Sequence, residues 1–249
     1  ASIHAEYTSC PPAWEWVAGF AQKHGLGMHV HISETRSEHE KCLEKYGRTP
    51  ISLLDQYGVW ENGGHAAHCV WVSGKDMELM ARKNITAVHN PVSNLKLASG
   101  VARVPELLKA GVNVALGTDG VASNNSHDLF EEIKLAAILH KGTTGDPTAV
   151  SAFQALSMAT VNGARTLGRD AGVIAPGKVA DLILVDFTSK NLFPCHDALE
   201  NLVYSANGSN VVMNMARGNI IYENGEFLTL DLEKICDQVK NYALPHIFG

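Results

Sequence analysis

Along Met28-His29-Val30-His31-Ile32-Ser33, apolar and polar residues alternate with a period of two, the pattern of a strand whose two faces meet different surroundings. Two imidazoles on one face, with the Glu34 carboxylate just past the strand's end, are unfavourable to bury unless something is bound there. Thr35-x-x-Glu38 then reads as a capping box opening a helix through Lys45. Upstream, a short segment at 2–7 carries His4. Pro11-Pro12 open a helix with apolar positions Trp14, Val17, Ala18 and Phe20, stopped by Gly25. Downstream the pattern predicts a helix over 51–57, a strand over 65–70, a helix from Ser73 through Arg82 and a strand over 85–89. A Ser/Asn/Gly-rich loop is expected over 90–100, a helix over 104–109, a strand over 112–117, and helices near 127–141, 148–160 and 162–167.

Strand and helix thus alternate four times, and each strand ends in a polar cluster: His31/Glu34, His68, His89/Asn90 and Asp119. Apolar runs flanked by helices imply parallel strands covered on both sides. Polar groups at successive C-terminal strand ends mark a (β/α) barrel or a doubly wound sheet. Neither a GxGxxG nor a Walker loop occurs, which favours the barrel. The expected fold class is α/β: the C-terminal part of a (β/α)8 TIM-type barrel, holding four or five of the eight strands.

After Gly168 the character changes. Residues 173–186 read as a turn and a β-rich strand, and 211–216 with 219–222 as a hairpin around Arg217-Gly218. Asn224-Gly225 is a turn signal and 232–241 an amphipathic terminal helix. The expected division is a partial barrel carrying the catalytic groups over 1–169, part of a composite β-sandwich over 170–230, and a helix and tail over 231–249.

Composition narrows the function. A chain of 249 residues can bury a sizeable core. A net charge of −6 with no Lys/Arg cluster argues against nucleic acid. The five cysteines, 10, 42, 69, 195 and 236, form no CxxC, which points to reduced thiols and a cytoplasmic setting rather than disulfides or a thiolate zinc site. There is no apolar run of about 18 residues and no signal peptide, so neither membrane nor export is expected. The start at Ala-Ser-Ile-His, without methionine, reads as a processed or truncated product.

His31, His68 and Asp119 are N, N and O groups at the ends of separate strands, suited to zinc or another borderline divalent ion. Glu34, three residues beyond His31, leaves the strand free to face an open coordination position. An ion-activated water and a carboxylate that carries its proton to a leaving group perform hydrolysis or hydrolytic deamination. Each residue also has a plainer reading. His29 and His31 could be core histidines satisfied by hydrogen bonds, and Asp119, between Thr118 and Gly120, a turn aspartate. The ordered series of strand-end groups carries the argument.

His31-Ile32-Ser33-Glu34-Thr35, Ala67-His68-Cys69-Val70, His89-Asn90-Pro91-Val92-Ser93-Asn94-Leu95-Lys96-Leu97 and Leu116-Gly117-Thr118-Asp119-Gly120, followed by Ala122-Ser123-Asn124-Asn125, resemble the amidohydrolase superfamily. Within it they look most like the 5-methylthioadenosine/S-adenosylhomocysteine deaminases, which sit beside the triazine chlorohydrolases and guanine deaminases. Pro176-Gly177-Lys178-x-Ala180-Asp181-Leu182 is similar to the family's return into its β-sandwich. The resemblance implies one divalent ion, most often zinc, with His31 and Asp119 as ligands. It further implies that Glu34 shuttles the proton to the purine and the departing amine, and that His68 holds the attacked centre. Asp119 would take the water's proton, and His4, at the end of the fourth barrel strand, would contact the nucleoside's sugar. Ser93, Asn94 and Ser123 lie in loops of the same mouth, without an assigned role.

The family's first-strand His-x-His pair is missing. His29-Val30-His31 has its spelling but stands at the fifth-strand position, where only the second histidine matches a ligand. Three readings stay open: part of a zinc-dependent nucleoside aminohydrolase, a chlorohydrolase or guanine deaminase, or a non-catalytic fragment. Association with itself or with the missing N-terminal part is expected, because an incomplete barrel exposes strand edges beside 2–7 and 112–117.

Overall fold

A computed structural model describes residues 1–249. Two prolines start α1 (Pro11–His24), and Gly25, left-handed at φ 62°, ends it. Trp14, Val17, Ala18 and Ala21 form its buried face at helical spacing. In β1 (Met28–Ile32), Met28, Val30 and Ile32 are buried while His29 and His31 are half-buried, as the alternation predicts. Then follow α2 (Arg36–Tyr46), α3 (Pro50–Gln56), β2 (Gly64–His68), α4 (Gly74–Arg82), β3 (Ile85–His89), α5 (Pro91–Lys96), α6 (Val104–Lys109) and β4 (Val114–Leu116). The capping box of α2 forms as read: the Thr35 hydroxyl accepts from the Glu38 amide.

The four strands make one parallel sheet in the order β1-β2-β3-β4. Each strand neighbours its predecessor and connects to it through helix. Crossovers of one hand then stack all those helices on the same face. The expectation of strands covered on both sides holds for β3, where Ile85, Thr86 and Ala87 are all buried, but not for β1, whose second face presents the half-buried His29 and His31. Segment 2–7 is not a strand either. Ser2 makes a single bridge to His29, and Glu6–Thr8 is a 3-10 turn, so His4 stands on irregular backbone.

The expected loop over 90–100 contains α5. Pro91 sets the first helical φ, and the Ser93 and Asn94 side chains bond elsewhere in the site, so they do not compete for the helix backbone. Past β4 come α7 (Leu129–Thr144), α8 (Ala152–Ala159) and α9 (Val161–Thr166).

The second sheet is antiparallel, in the order β5 (Leu182–Val185), β6 (Val211–Ala216), β7 (Asn219–Glu223) and β8 (Glu226–Phe227), with the 216–219 hairpin as read. An unforeseen helix, α10 (Ala198–Tyr204), starts at Asp197, whose carboxylate accepts from the Glu200 amide. It packs on α7 and α8 and contributes Val203 to the main core. The terminal helix stops earlier than expected, as α11 (Leu232–Gln238); a π-helical turn over Val239–Ala243 leads into α12 (Leu244–Phe248). No helix is long and apolar enough to cross a membrane.

One cluster of buried apolar side chains, centred on Trp14, Trp60, Met28, Ile51 and Met80, joins α1, β1, α3 and α4. Strand β2 can approach β1 there because Gly64 faces Met28 at φ 151° with no side chain. A Cβ would overlap the Met28 carbonyl oxygen and has no room to relax, since the obstruction is backbone. Gly64→Ala should therefore lower the unfolding free energy by at least about 2 kcal/mol, read by urea unfolding. An unchanged midpoint would show that β1 and β2 are not in this register.

Candidate active site

The chemistry gathers at the C-terminal ends of the parallel strands. Three of these ends are left-handed at non-glycine residues: Ser33 (φ 48°), His68 (φ 70°) and Asp119 (φ 61°). Such conformations are unfavourable for side-chain-bearing residues and persist only where the surroundings enforce them. Here they turn the chain sharply at the rim. The Cys69 amide donates to the Ile32 carbonyl at 3.1 Å and the Trp71 amide to the Ser33 carbonyl at 3.0 Å, locking the ends of β1 and β2 together.

His31 holds its ring by Nδ1, 2.8 Å from the His4 carbonyl oxygen. A carbonyl only accepts, so Nδ1 carries the proton and Nε2 keeps a free lone pair, the arrangement of a metal-ligating imidazole. His4, His31 and His68 stand in a row, with ring centroids 4.7 Å and 5.4 Å apart. His4 itself is exposed, with Nδ1 3.1 Å from the Thr8 hydroxyl. His29 lies one layer further down the strand, edge-on to His31 and His65, and burial lowers its pKa.

His68 is 1% exposed, with Nδ1 2.8 Å from the Asn94 side-chain oxygen and Nε2 3.7 Å from Glu34 Oε2. Glu34, 18% exposed, accepts from the Ser99 hydroxyl through Oε1 at 3.2 Å. Its loop hangs on Glu38, whose carboxylate accepts from the Ser33 and Glu34 amides at 2.7 Å each. Behind it lies Glu6, 3% exposed and pushed up to about 7 by burial and by Glu38.

Asp119 accepts from the Ser93 hydroxyl and from the Gly120 amide, each at 2.6 Å. Burial alone would raise its carboxyl. The two hydrogen bonds, with His68 and His31 nearby, outweigh burial and hold it below the usual carboxylate range. Ser123 is half-buried in the following loop, and Asn124 beneath it donates to the Thr118 carbonyl at 2.7 Å and to Glu132 at 2.6 Å. Glu132 also accepts from the Val92 amide at 3.2 Å, so one buried carboxyl joins the loops after β3 and β4.

His89, expected among the strand-end groups, turns away from the mouth. Its Nε2 is 3.3 Å from His140 Nε2, and burial lowers both rings, to about 3 and about 4, so the pair is neutral. The structure therefore brings Glu34, His31, His68 and Asp119 to one rim with His4 at its edge, and leaves His89 out. Sequence reasoning missed Ser99, Glu132 and the wider role of Glu38. Only Glu38 had a signal, its place three residues after Thr35.

His31 and Asp119 offer a nitrogen and a carboxylate, donors that suit zinc. His68 does not complete the set, since Asn94 takes one ring nitrogen and Glu34 faces the other. No group of three His, Cys, Asp or Glu side chains converges to hold an ion. These residues fit a share of a metal site, not a whole one. A cavity of about 810 Å³, lined by Gly27, His65, Asn113 and Thr166 among others, opens at the opposite ends of the strands and contains none of the site residues.

The sequence profile of the amidohydrolase family matches residues 1–221, so the chain belongs to that family. It is 47% identical over 223 residues to 5'-deoxyadenosine deaminase of Methanosarcina acetivorans, covering 90% of this chain and 52% of that protein. It is also 47% identical over 243 residues to the 5-methylthioadenosine/S-adenosylhomocysteine deaminase of Pelotomaculum thermopropionicum, covering 97% and 56%. Among solved structures, an adenosine deaminase from Xanthomonas campestris with bound zinc superposes with a TM-score of 0.93 at 35% identity, covering 97% of this chain and 56% of that one. The chain thus spans about half the length of the curated relatives it matches.

Glu132 supplies a test of how the two loops are joined. Burial pushes its carboxyl from 4.5 to about 7 against the hydrogen bonds from Val92 and Asn124. The folded state then binds a proton that the unfolded state has released, so this group's contribution to stability is full below 4.5 and lost as pH rises to about 7. The neutral His89–His140 pair acts in the opposite direction over part of this window, so the wild-type slope alone decides nothing. Glu132→Gln should gain stability relative to wild type steadily from pH 4.5 to 7 and hold a constant difference above. A difference independent of pH would place an ordinary carboxyl there.

Proposed function

We propose that the whole protein carrying this chain deaminates adenine nucleosides modified at the 5' position, of the 5-methylthioadenosine/S-adenosylhomocysteine type, by hydrolysis. In this reading 1–169 is the C-terminal half of a (β/α)8 barrel, 170–230 part of a composite β-sandwich and 231–249 its helical tail, in a cytoplasmic enzyme. The sequential order of the parallel strands, with their helices on one face, supports the barrel over a doubly wound sheet. The observation that carries the function is the rim itself. The Glu34 carboxylate stands 3.7 Å from the His68 imidazole, beside a second imidazole with a free Nε2 and a carboxylate held ionised. The names of the relatives agree with this chemistry.

Asp119, kept below the usual carboxylate range, is the group that takes a proton from the attacking water. Glu34, steadied by Ser99 and reachable at the mouth, protonates the ring nitrogen and then the departing amine. Water adds at the amino-bearing ring carbon, ammonia leaves, and a carbonyl remains in its place. His68 faces the same centre through Nε2, and His4 lies at the rim where the sugar would rest. A divalent ion, shared between His31, Asp119 and ligands outside these 249 residues, would supply acidification of that water.

Two measurements test this. The whole protein should release ammonia from 5-methylthioadenosine or S-adenosylhomocysteine, with loss of the adenine absorbance; turnover of a chlorotriazine or guanine and of no adenosine overturns the proposal. Glu34→Gln in the same protein should lower kcat by ~10²-fold or more while leaving metal content unchanged. Near-normal turnover would reduce Glu34 to a structural part of the turn before α2.

A further inference from the structure

Three of the reacting groups rest on one short stretch of chain. Ser93 donates its hydroxyl to Asp119 at 2.6 Å, Asn94 meets His68 Nδ1 at 2.8 Å, and Ser99 donates to Glu34 at 3.2 Å. All three are buried, at 0%, 1% and 4% exposure. The stretch is held in place by its own backbone: the Asn94 amide donates to the Asn90 carbonyl at 3.0 Å, and the Ser99 amide donates to the Asn94 carbonyl at 2.8 Å. The Trp71 indole donates to the Ser99 carbonyl at 2.8 Å, anchoring the far end to the loop after β2. Residues that come from three different strands are therefore spaced by one template seven residues long, the end of α5 and the three residues after it.

We propose that 93–99 is the positioning element of the site, and that Asn94 is its decisive member because it sets which nitrogen of His68 carries the proton. This rests on the reading of Glu34 and His68 as groups facing the substrate. The Asn94 side-chain oxygen only accepts, so His68 is protonated at Nδ1 and turns an unprotonated Nε2 towards Glu34 and the reacting centre. Nε2 is then an acceptor for a proton on Glu34 or on the attacking water. With the proton on Nε2 it would instead be a donor, and the hydrogen-bonding sense of the mouth would reverse. The Asn94 amide nitrogen is buried with no partner, so the bond to His68 is the only hydrogen bond that orients this side chain.

The test reads the tautomer directly. In the whole protein labelled with ¹⁵N-histidine, the two ring nitrogens of His68, recognised by their loss in His68→Gln, should show a proton on Nδ1 and none on Nε2. Asn94→Asp keeps an acceptor oxygen and should keep that pattern. Asn94→Leu, of similar size, should move the proton to Nε2 in part or whole. With 5-methylthioadenosine, Asn94→Leu should lower kcat by about ten- to a hundred-fold with KM little changed, the usual effect of losing a group that orients an active residue. A wild-type His68 protonated on Nε2, or an Asn94→Leu protein with the wild-type pattern and kcat, overturns the proposal. If Asn94→Leu does not fold, the wild-type and Asn94→Asp spectra still decide it. If the wild-type protein turns over no adenosine yet shows the tautomer and its shift in Asn94→Leu, the substrate reading fails and the positioning role stands.

Discussion

The register of the parallel sheet is the constraint on which the site depends. Ile32 pairs with His68, and His89 pairs with Leu116, so backbone hydrogen bonds bring the ends of all four strands to one level. Residues 31, 34, 68 and 119 are far apart in the chain. They meet because each lies within a few residues of where a strand runs out. His68 pairs with Ile32, on the side that β1 buries, and its left-handed backbone at φ 70° is what turns the chain at the rim. Gly64 is part of the same constraint, since its missing side chain lets β2 lie against Met28.

A rim of this kind is unfavourable by itself, and the surrounding structure shows what offsets it. Three strand ends turn through left-handed residues, and the amides of Cys69 and Trp71 close on β1 to hold two of them. Polar groups beneath the rim are neutralised or bonded rather than left charged. His89 and His140 are neutral together, and Glu132 and Glu6 are both pushed up to about 7 by burial. Asp119 is the exception, held ionised by the hydroxyl of Ser93 and the amide of Gly120. The groups beneath the rim thus stay near neutral while the acceptor at the mouth stays charged.

Much of this was legible from residue order. The alternation in 28–33 placed β1 and its polar face, Thr35 and Glu38 placed the start of α2, and Arg217-Gly218 placed the hairpin. These are local signals, in which side-chain period, a cap or a turn residue acts within a few positions. The helix at 91–96 was not legible, because its serine and asparagine weaken a helix in isolation; they are compatible with it only when Asp119 and His68 take up their side chains. His89 stands on the side of β3 that Ile85 and Ala87 share, so the alternation of the strand itself turns its ring from the mouth and towards His140 of α7.

The sequence by itself determined the class of fold, the strand ends that carry chemistry and the resemblance to amidohydrolases, since each rests on residue type and short spacing. Only the tertiary structure decided which of those ends act together, which nitrogen of His31 is free, and that 93–99 serves three of the groups at once. It also decided that no three His, Cys, Asp or Glu side chains converge to hold an ion. Those facts depend on hydrogen bonds between residues 26 to 65 positions apart, and no local pattern encodes a partner at that distance.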